Sequence, residues 1–335
     1  MNMAYERRTI DTQSEWDQLV GTVAPHAFFS SWRWGEVEKL LGHTVVRTAW
    51  FSEGTFVAAA SCIIVKSRRG TLMLVRHGPV MPDISQSVLK TVVDDLRVIG
   101  KRHHVDVVRL SPLVSTDPYE QMIVACGLRR SPIYGMDAQF CRHIDVMKSD
   151  DDILTGMKKN TRYDIKKADG SGITVRVSKG ADDIEIFMKL YDETAKRQGF
   201  VEHEGIEEEL TVFGDDAIIV TASKDGIALS SSVVVFEGNQ GIYRHAASIP
   251  NSSGASARMV WEILRETKRR GKPICNLWGV SPEENTNHAW AGLSRFKRGF
   301  GGYDVSYAGT YDIPLTPKYL MIYVLDHIKK WRKGF

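Results

Sequence analysis

A run of basic residues near the middle of the chain is one candidate for a functional site. Lys158, Arg162 and Lys166 recur at every fourth position, so a helix would carry them on one face. Lys159 and Tyr163 repeat this spacing one position later. Clustered lysine and arginine side chains bind phosphates, and an aromatic ring can stack on a base. The pattern predicts a phosphate-binding surface, and a solvated helix face is the alternative.

Residues 294–303 form a second reactive stretch, in which three cations are mixed with three aromatics and three glycines. Glycines allow sharp turns and a close approach to a ligand. A lysine between aromatic side chains, as Lys297 is, can be partly desolvated, which strengthens its attraction to a developing anion. The segment is therefore a candidate for electrostatic catalysis, and a helix that ends at a glycine is the alternative.

The other reactive residues argue against several kinds of enzyme. The four cysteines include no CxxC pair, and the ten histidines include no HExxH motif. We therefore expect reduced, structural thiols and no bound metal. No GxxxxGK[ST] loop occurs, so ATP is not the expected energy source, and we predict no cofactor. Tyr243 and His245, on a predicted strand, are secondary candidates, since a lone strand histidine is more often structural.

The composition is that of a globular protein. The chain has 335 residues, of which 43% are hydrophobic and 25% are charged, and this length predicts two domains. A net charge of +3 excludes a histone-like polycation but allows a local anion site. No apolar run reaches the ~20 residues of a membrane span, and the N-terminal residues lack the apolar core of a signal peptide. We expect a cytoplasmic protein.

An internal repeat organises the chain. Residues 57–80 resemble residues 227–250, and Arg76–His77 recurs as Arg244–His245. Such self-similarity at a near-constant offset, with matching order over a long stretch, is the sequence signature of a duplicated unit. The sequence therefore predicts two copies of one α/β unit.

The pattern in each copy predicts three strands joined by turns, followed by a helix and a further strand. The helices are predicted at 86–102 and 255–270, and the strands after them at 105–108 and 274–277. Consecutive hairpins followed by one crossover helix give a mixed sheet rather than a purely parallel one. The predicted fold class is α/β with mixed sheets, in an order that resembles two tandem Gcn5-related N-acyltransferase domains.

The predicted domain boundary follows residue 147, where a new helix is expected over residues 152–169. We assign residues 1–147 to the first domain and residues 148–316 to the second. The C-terminal helix, within residues 317–335, is expected to join the first domain.

Five segments resemble motifs of the Fem (FemABX) family, in matching order and over nearly the whole chain. They lie at residues 30–35, 77–80, 159–168, 194–200 and 296–302. The resemblance implies an aminoacyltransferase that moves an amino acid from aminoacyl-tRNA to the stem-peptide amine of a peptidoglycan precursor, UDP-MurNAc-peptide or lipid II. It also implies two acyltransferase-like domains, here without the coiled-coil arm that some members carry. Because an aminoacyl ester is already activated, the reaction needs neither ATP nor a covalent nucleophile.

The resemblance also assigns roles to individual residues. Lys297, next to Phe296, would stabilise the oxyanion and the departing ribose oxygen. Arg197 would clamp the diphosphate of the precursor, because a guanidinium matches phosphate geometry. Trp34 is a further candidate for binding the precursor. The chain departs from the family at two places. After this tryptophan some relatives carry a lysine and this chain has glutamates, and at Ser111 relatives carry an acid. Both departures concern precursor binding and the choice of general base.

Other interpretations stay open. An acyl-CoA-dependent N-acyltransferase would share the fold, but its Arg/Gln-x-x-Gly-x-Gly/Ala loop is incomplete at residues 251–256. A tRNA-dependent transferase that acts on a non-peptidoglycan peptide is a second alternative, and a binding protein without catalytic activity is a third. We expect a monomer.

The C-terminal segment, residues 318–335, is basic and carries Tyr319, Tyr323 and Trp331. Such a helix could lie on an anionic membrane, at the inner face of the plasma membrane. The alternative is a helix that packs against the first domain and has a charged end.

Overall fold

The computed structural model describes residues 5–114, 116–133, 139–250, 253–282 and 288–332. These residues form two seven-stranded sheets and a set of helices. The strands are β1 (Tyr5–Thr9), β2 (Thr44–Ser52), β3 (Thr55–Ser67), β4 (Gly70–Arg76), β5 (Val107–Ser111), β6 (Arg129–Arg130), β7 (Phe140–Asp145), β8 (Thr174–Ser178), β9 (Ala217–Lys224), β10 (Ile227–Glu237), β11 (Gln240–Ser248), β12 (Ile274–Gly279), β13 (Tyr303–Ser306) and β14 (Tyr311–Pro314). The α-helices are α1 (Gln13–Trp16), α2 (Trp32–Leu40), α3 (Gln86–Arg102), α4 (Thr116–Ala125), α5 (Asp150–Gly156), α6 (Lys159–Gly170), α7 (Ala181–Gln198), α8 (Ile206–Phe213), α9 (Ala255–Arg269), α10 (Ala291–Arg298) and α11 (Tyr319–Arg332).

The first sheet has the strand order β1-β2-β3-β4-β5-β14-β6. Helix α3 crosses between the parallel strands β4 and β5, and it begins where Ser85 Oγ accepts a hydrogen bond from Val88 N at 3.3 Å. Ala58 and Ala60 of β3 pack in the core on one face of this sheet, whereas Ala59 packs in a separate core. Because both faces are covered, β3 is apolar along nearly its whole length.

The second sheet repeats this plan in the order β13-β7-β12-β11-β10-β9-β8. Helix α9 crosses between the parallel strands β11 and β12, and its Met259 and Val260 pack with Val234 and Phe236 of β10. The fold class predicted from the internal repeat is thus confirmed. The helix predicted at 86–102 coincides with α3, and α9 ends one residue before its predicted end.

Each sheet also takes a strand from beyond its own copy of the repeat. β7 follows the first copy along the chain but pairs with β12 of the second sheet, with Ile144 opposite Cys275. β14 follows the second copy but pairs with β5 of the first sheet, with Ile313 opposite Val108. Because β7 pairs in the second sheet and β14 in the first, the bounds of the two compact units differ from those of the domains predicted with a boundary at residue 147. The first unit comprises residues 1–140, 285–289 and 306–335, and the second comprises residues 141–284 and 290–305.

The helix predicted over residues 152–169 is interrupted. Helix α5 ends at Gly156 and α6 begins at Lys159, because Met157 and Lys158 adopt extended backbone conformations. The amide of Lys158 donates a hydrogen bond to the carbonyl of Gly299 at 2.8 Å instead of to a helical carbonyl. A contact with a segment far along the chain therefore breaks a helix that local sequence would continue.

The C-terminal helix α11 packs against the first unit. Tyr319 and Ile322 are buried with Val107 of β5. Arg109 of the same strand pairs with Asp326 at 3.0 Å. Among the residues that the structure describes, no helix has the length and apolar character needed to cross a bilayer.

Candidate active site

The central parallel strands of the second sheet separate toward their C-terminal ends. Residues 240–242 of β11 pair with residues 274–276 of β12, but β11 continues to Ser248 and β12 to Gly279 without further pairing to each other. In the first sheet, by contrast, the equivalent strands stay paired to their last residues, Arg76 and Ser111. The separated strand ends of the second unit therefore offer backbone groups and side chains that a paired sheet would cover.

Lys297 lies at the end of β12. Its side chain is 5% exposed, and Nζ donates a hydrogen bond to the carbonyl of Gly279 at 2.7 Å. Ser294, on the preceding turn of α10, accepts hydrogen bonds from the amide and the hydroxyl of Ser281 at 2.7 and 3.0 Å. These contacts fix α10 to the chain that follows β12. Because an ammonium has three donors, Gly279 leaves others for a further acceptor.

The surroundings of Lys297 leave its charge uncompensated. Burial lowers the pKa of Lys297 to about 8. No carboxylate of the described residues forms an ion pair with it. The thiol of Cys141 is nearby, and burial raises the pKa of that thiol to about 12, so it is neutral at neutral pH. A buried cation without a counterion stabilises a developing negative charge more strongly than a solvated one.

Two arginines hold the loop after α10. Arg142 of β7 donates to the carbonyls of Gly301 and Gly302 at 2.7 and 3.1 Å. Arg142 and Arg298 both pair with Asp304, at 2.8 and 2.7 Å. The loop after α10, which carries the last glycines of the Phe-Lys-Arg-Gly-Phe-Gly-Gly motif, is therefore fixed by hydrogen bonds and ion pairs on the C-terminal side of Lys297.

The end of α5 and the start of the basic helix α6 pack directly onto this loop, and the amide of Lys158 donates to the carbonyl of Gly299. A Cβ atom at Gly301, where φ is +78°, would lie 2.6 Å from the carbonyl oxygen of Gly156. A Cβ atom at Gly299 would lie 2.4 Å from Thr161 Oγ1. The sequence linked these glycines to ligand approach or to a helix stop. In the structure, Gly301 allows the backbone at the end of α5 to pack closely, and Gly299 leaves room for the side chain of Thr161. The two reactive stretches found in the sequence thus form one region of the second unit.

Three lysines at the start and along the outer side of α6 are exposed and form no ion pair with a described residue. We call Lys158, Lys159 and Lys166 the α6 lysines. Tyr163, between them in sequence, is 64% exposed. An exposed aromatic among unpaired cations has the composition of a surface that binds a nucleic-acid backbone. A phosphate-binding role for these residues stays a prediction.

Arg162 has a different environment from the one its spacing suggested. Its Nη1 donates to the carbonyl of Thr155 at 3.2 Å and to the carbonyl of Met157. These carbonyls lie at the C-terminal end of α5, where helical partners are missing. Part of the guanidinium therefore closes the junction between α5 and α6.

A bulge in β11 shapes the other side of the strand separation. Val233 of β10 is opposite His245 and Val234 is opposite Tyr243, so Arg244 is the extra residue. The bulge turns Arg244 and His245 to the same side, where both reach Glu209 of α8. Arg244 donates to the two carboxylate oxygens at 2.9 and 3.1 Å, and His245 Nε2 lies 3.3 Å from one of them.

This buried cluster is charged and tightly coupled. Burial alone would raise the pKa of Glu209, but Arg244 and His245 outweigh it and lower that pKa to about 2. Burial lowers the pKa of His245, against the opposing effect of Glu209. His203 lies next to it, with ring centroids 5.3 Å apart, and its Nδ1 is 2.7 Å from the hydroxyl of Tyr191. The cluster therefore contains a carboxylate and a neutral imidazole close to the end of β11.

Glu209 was not among the predicted site residues, although the sequence contains a signal for it. Ile206, Glu209 and Phe213 recur at helical spacing and are the buried residues of α8. An acidic residue on the apolar face of an amphipathic helix indicates a buried cationic partner. Only the folded chain shows that this partner is the Arg244–His245 pair.

Tyr243 lies apart from that cluster. The bulge turns it to the opposite side of the sheet, where it is buried in the core against α9, and burial raises the pKa of its hydroxyl. Tyr243 and His245, which the sequence placed together as secondary candidates, are thus not brought together. The substrate-binding role of Tyr243 stays a prediction and has no supporting contact.

Arg197 stands at the end of β11. It is exposed at the C-terminal end of α7, and its Nη2 donates to the carbonyl of Ser248 at 2.5 Å. Thr194, one turn earlier, exchanges hydrogen bonds with the backbone of Ser248 at 3.1 and 3.2 Å. Of the predicted site residues, Arg197 is therefore fixed to the end of β11 and Lys297 to the end of β12, the two strands that separate. Phe296, beside Lys297, packs on Phe300 with ring centroids 5.2 Å apart.

The remaining predicted residues belong to the first unit. Trp34 is 6% exposed and packs on Phe28 and Phe29, with ring centroids 5.3 and 4.8 Å apart. Ser111 is buried at the end of β5, where its hydroxyl accepts a hydrogen bond from the amide of His77 at 3.3 Å. Both residues have structural contacts, and their part in binding a precursor stays a prediction.

The glutamates that follow Trp34 are neutralised by neighbouring cations. Glu36 accepts hydrogen bonds from Arg47 at 2.8 Å and from Lys39 at 3.0 Å. Glu38 is buried; one of its oxygens lies 3.8 Å from Arg76 Nη1, and the other lies 2.6 Å from His43 Nδ1. This helix therefore presents bound carboxylates where the resemblance would place a cation for phosphate. Among the described residues, no group of three or more histidine, cysteine, aspartate or glutamate side chains could hold a metal ion.

Comparison with known proteins agrees with this fold. The structure of FemX matches with a TM-score of 0.80 at 19% identity, covering 95% of this chain and 99% of that chain. A tandem GNAT protein from the clavulanic acid biosynthesis pathway matches with a TM-score of 0.59 at 12% identity, covering 94% and 99% of the two chains. The C-terminal domain of a putative lysylphosphatidylglycerol synthetase from Agrobacterium fabrum matches with a TM-score of 0.58 at 13% identity, covering 95% of this chain and 98% of that chain. At these identities the matches show a shared fold.

Comparison with curated protein sequences finds no match. The family itself is decided by a sequence model described as the FemAB family, which matches residues 12–126, 134–225 and 206–327. These segments span most of the chain, in both copies of the repeat. The chain, with its two acyltransferase-like units and its buried lysine at the end of β12, belongs to the FemAB family.

Proposed function

We propose that this protein transfers an amino acid from aminoacyl-tRNA to the stem-peptide amine of a peptidoglycan precursor, as its family resemblance implies. The observation that carries the proposal is Lys297, a buried ammonium that pairs with no described carboxylate and lies at the separated end of β12. Such a cation accelerates acyl transfer from an ester, because the attacked carbonyl oxygen becomes negative in the transition state. Membership of the FemAB family supports an acyl-transfer reaction in general.

In the proposed reaction the acceptor amine attacks the ester carbonyl of the aminoacyl-tRNA. A C–N bond forms, the C–O bond to the ribose breaks, and the proton lost by the amine passes to the ribose oxygen through water. Lys297 keeps one N–H on Gly279 and directs another toward the oxyanion and then toward the ribose oxygen. One preorganised donor of this kind is worth about 3–4 kcal/mol of the activation barrier. The protein need not form a covalent intermediate.

The remaining charges of the second unit would bind the two anionic substrates. Arg197, held by the end of β11, is exposed and is proposed to bind the diphosphate of UDP-MurNAc-peptide or lipid II. The α6 lysines are proposed to bind the tRNA backbone, since they are exposed and lie at the start of and along α6, which packs against the loop after α10. Charged tRNA is available in the cytoplasm, the location expected from the sequence.

The packing of α6 also disfavours an acyl-CoA donor. Gly254 is the N-cap of α9, and a Cβ atom there would lie 2.1 Å from the carbonyl oxygen of Asp164 on α6. A helix N-terminus binds a pyrophosphate through free amides and open space. Here the backbone of another helix lies against that terminus, and its carbonyl would repel an anion.

A mass assay tests the proposal. Purified protein is incubated with a mixture of charged tRNAs and with nucleotide-linked or lipid-linked muropeptide, with and without RNase. The expected result is a gain of one amino-acid residue in the acceptor that RNase abolishes. A gain that appears only with acetyl-CoA would replace the proposal with the acyl-CoA alternative. No gain with any muropeptide, but transfer to an unrelated peptide amine, would refute the peptidoglycan acceptor.

The variant Lys297→Met separates catalysis from binding in the same assay. Its expected effect is a loss of about 10²–10³ in rate with tRNA and precursor affinities unchanged. Normal turnover by this variant would refute the role assigned to Lys297. A matched control is Lys66→Met, which removes an exposed lysine of the first unit and leaves the Lys297 surroundings intact.

A further inference from the structure

The C-terminal helix α11 has two apolar faces, and the fold uses one of them. Tyr319, Ile322 and Asp326 recur at helical spacing and are buried against the first unit. Asp326 pairs there with Arg109, which is itself 2% exposed. This inner face accounts for the docking of the helix.

The opposite face of α11 is apolar and open to solvent. Its members share a spacing of three or four residues and point away from the docked face. They are Leu320, Met321, Val324, Ile328 and Trp331, which are between 44% and 82% exposed. Single exposed apolar residues are common on protein surfaces, but a continuous stripe along a helix is not explained by folding of the chain.

The charges on α11 are of one sign. Lys329, Lys330 and Arg332 lie in its last turn. Arg332 follows Ile328 by four residues and adjoins the apolar stripe, whereas Lys329 and Lys330 follow Asp326 by three and four residues and flank the docked face. Asp326 is the single acidic residue in the sequence of this helix, and it is buried. The exposed surface of α11 therefore combines an apolar stripe with cations and presents no carboxylate of its own.

We propose that α11 binds the surface of an anionic lipid bilayer through this outer face. A helix with an apolar stripe, flanking lysine and arginine side chains and an exposed tryptophan is suited to lie in the plane of a membrane interface. The cations complement anionic headgroups, and the apolar side chains enter the boundary with the acyl chains. A second copy of the chain would offer the same cations and no carboxylate from this helix, so charge favours the bilayer over self-association.

The structure also revises which aromatics take part. The sequence suggested Tyr319, Tyr323 and Trp331 as membrane contacts. Tyr319 and Tyr323 pack on the first unit, whereas Trp331 is 82% exposed. The inner tyrosines hold the helix in place, and the outer residues contact lipid. The structure shows the packing interpretation for the inner face, and the membrane interpretation is proposed for the outer face.

Co-sedimentation of the full chain with lipid vesicles tests the proposal. Wild-type protein is expected to bind mixed phosphatidylcholine–phosphatidylglycerol vesicles much more strongly than pure phosphatidylcholine vesicles. Ile328→Glu combined with Trp331→Glu should abolish binding, because it removes apolar contacts and adds repulsive charge. Val201→Glu combined with Ile227→Glu is the matched control, since these side chains are 84% and 64% exposed elsewhere in the chain.

A second set of variants tests the charges. Replacing Lys329, Lys330 and Arg332 by glutamine should lower the partition coefficient roughly 100-fold, because each cation near an anionic surface contributes about fivefold. The control replaces Lys148, Lys189 and Lys224, exposed lysines of the second unit, and should have little effect.

Three results would overturn the proposal. They are no binding by the wild type to anionic vesicles, equal loss of binding in the α11 and control variants, and self-association in sedimentation velocity that Ile328→Glu with Trp331→Glu abolishes. The last result would identify a second copy as the occupant of this face. Circular dichroism and thermal unfolding of each variant show that the fold is retained.

Discussion

Lys297 should make the stability of the protein depend on pH in a way that one substitution can isolate. Burial lowers the pKa of its ammonium from 10.5 to about 8. The folded state therefore binds this proton less tightly than the unfolded state does. At neutral pH the charged lysine costs the fold about 3 kcal/mol, since one pKa unit corresponds to about 1.4 kcal/mol. The cost disappears as pH rises through the interval between the two pKa values.

The comparison between wild type and Lys297→Met measures this term. Methionine has a similar length and no charge, and it leaves the carbonyl of Gly279 without its donor at every pH. That loss is independent of pH, whereas the cost of the buried charge is not. The free energy of unfolding of wild type should therefore rise relative to the variant by about 2 kcal/mol between about pH 7 and pH 9.5.

Urea denaturation at a series of pH values gives this difference directly. Lys66→Met serves as the control, because an exposed side chain meets water in both the folded and the unfolded state. Its difference from wild type should stay flat over the same interval. Parallel stability curves for wild type and Lys297→Met would refute the inference that Lys297 is buried as an uncompensated cation.

The same pKa predicts the alkaline limb of the proposed reaction. If Lys297 stabilises the oxyanion as an ammonium, the transfer rate should fall above about pH 8 as the ammonium loses its proton. The rate is measured by acceptor mass and corrected for ester hydrolysis in the absence of protein. Because the acceptor amine also loses its proton over this interval, the profile is compared with that of Lys297→Met. The same alkaline profile in wild type and variant would refute the role of the Lys297 ammonium.

Three further predictions concern the rest of the second unit. Glu209→Gln should destabilise the fold by about 3–5 kcal/mol at neutral pH, because it leaves Arg244 buried without its carboxylate. Since the pKa of Glu209 is about 2, the difference in unfolding free energy from wild type, measured by urea denaturation, should shrink as pH falls from about 4.5 toward 2. A constant difference would contradict the ion pair. Gly254→Ala should lower the free energy of unfolding by about 1–3 kcal/mol more than Gly42→Ala does. Both glycines have φ of +81°, but a Cβ atom at Gly254 would lie 2.1 Å from the carbonyl oxygen of Asp164, whereas Gly42 faces open space. Equal thermal shifts for the two variants would contradict the close packing of α6. Replacing the α6 lysines by glutamine should reduce the dependence of log Kd for tRNA on log salt by about 2–3, as measured by filter binding. The same replacement of Lys66, Arg68 and Arg69, exposed cations of the β3–β4 hairpin, should leave the slope unchanged, and an unaltered slope in the first variant would make the α6 lysines a solvated face.

Local patterns predicted the elements of each unit closely, because those elements depend on short-range order. The spacing of apolar residues placed α3 at its observed bounds, and the repeat of Arg76–His77 as Arg244–His245 identified two copies of one unit. A helix that buries one face needs apolar residues at three- and four-residue spacing, and a hairpin needs a turn at a fixed place. These requirements are written in neighbouring residues, so they can be read without a structure.

The interrupted helix at residue 157 shows where local patterns fail. The sequence from 152 to 169 contains no proline, and Gly156, where α5 ends, is a weak helix-stop signal that the prediction passed over. The break arises because the carbonyl of Gly299, far along the chain, accepts the hydrogen bond of Lys158. Likewise the bulge at Arg244, which separates Tyr243 from His245, is a property of two paired strands and not of one.

The sequence by itself determined the family resemblance, the duplicated α/β fold and the candidate residues Lys297 and Arg197, because residue types and their spacing carry that information. The tertiary structure decided which of these residues meet. In the folded chain β7 pairs in the second sheet and β14 in the first, and α6 packs on the loop after α10. Glu209 forms an ion pair with Arg244, and one face of α11 is exposed to solvent. Pairing, burial and loss of water depend on contacts between residues distant in the chain, and those contacts exist only once the chain has folded.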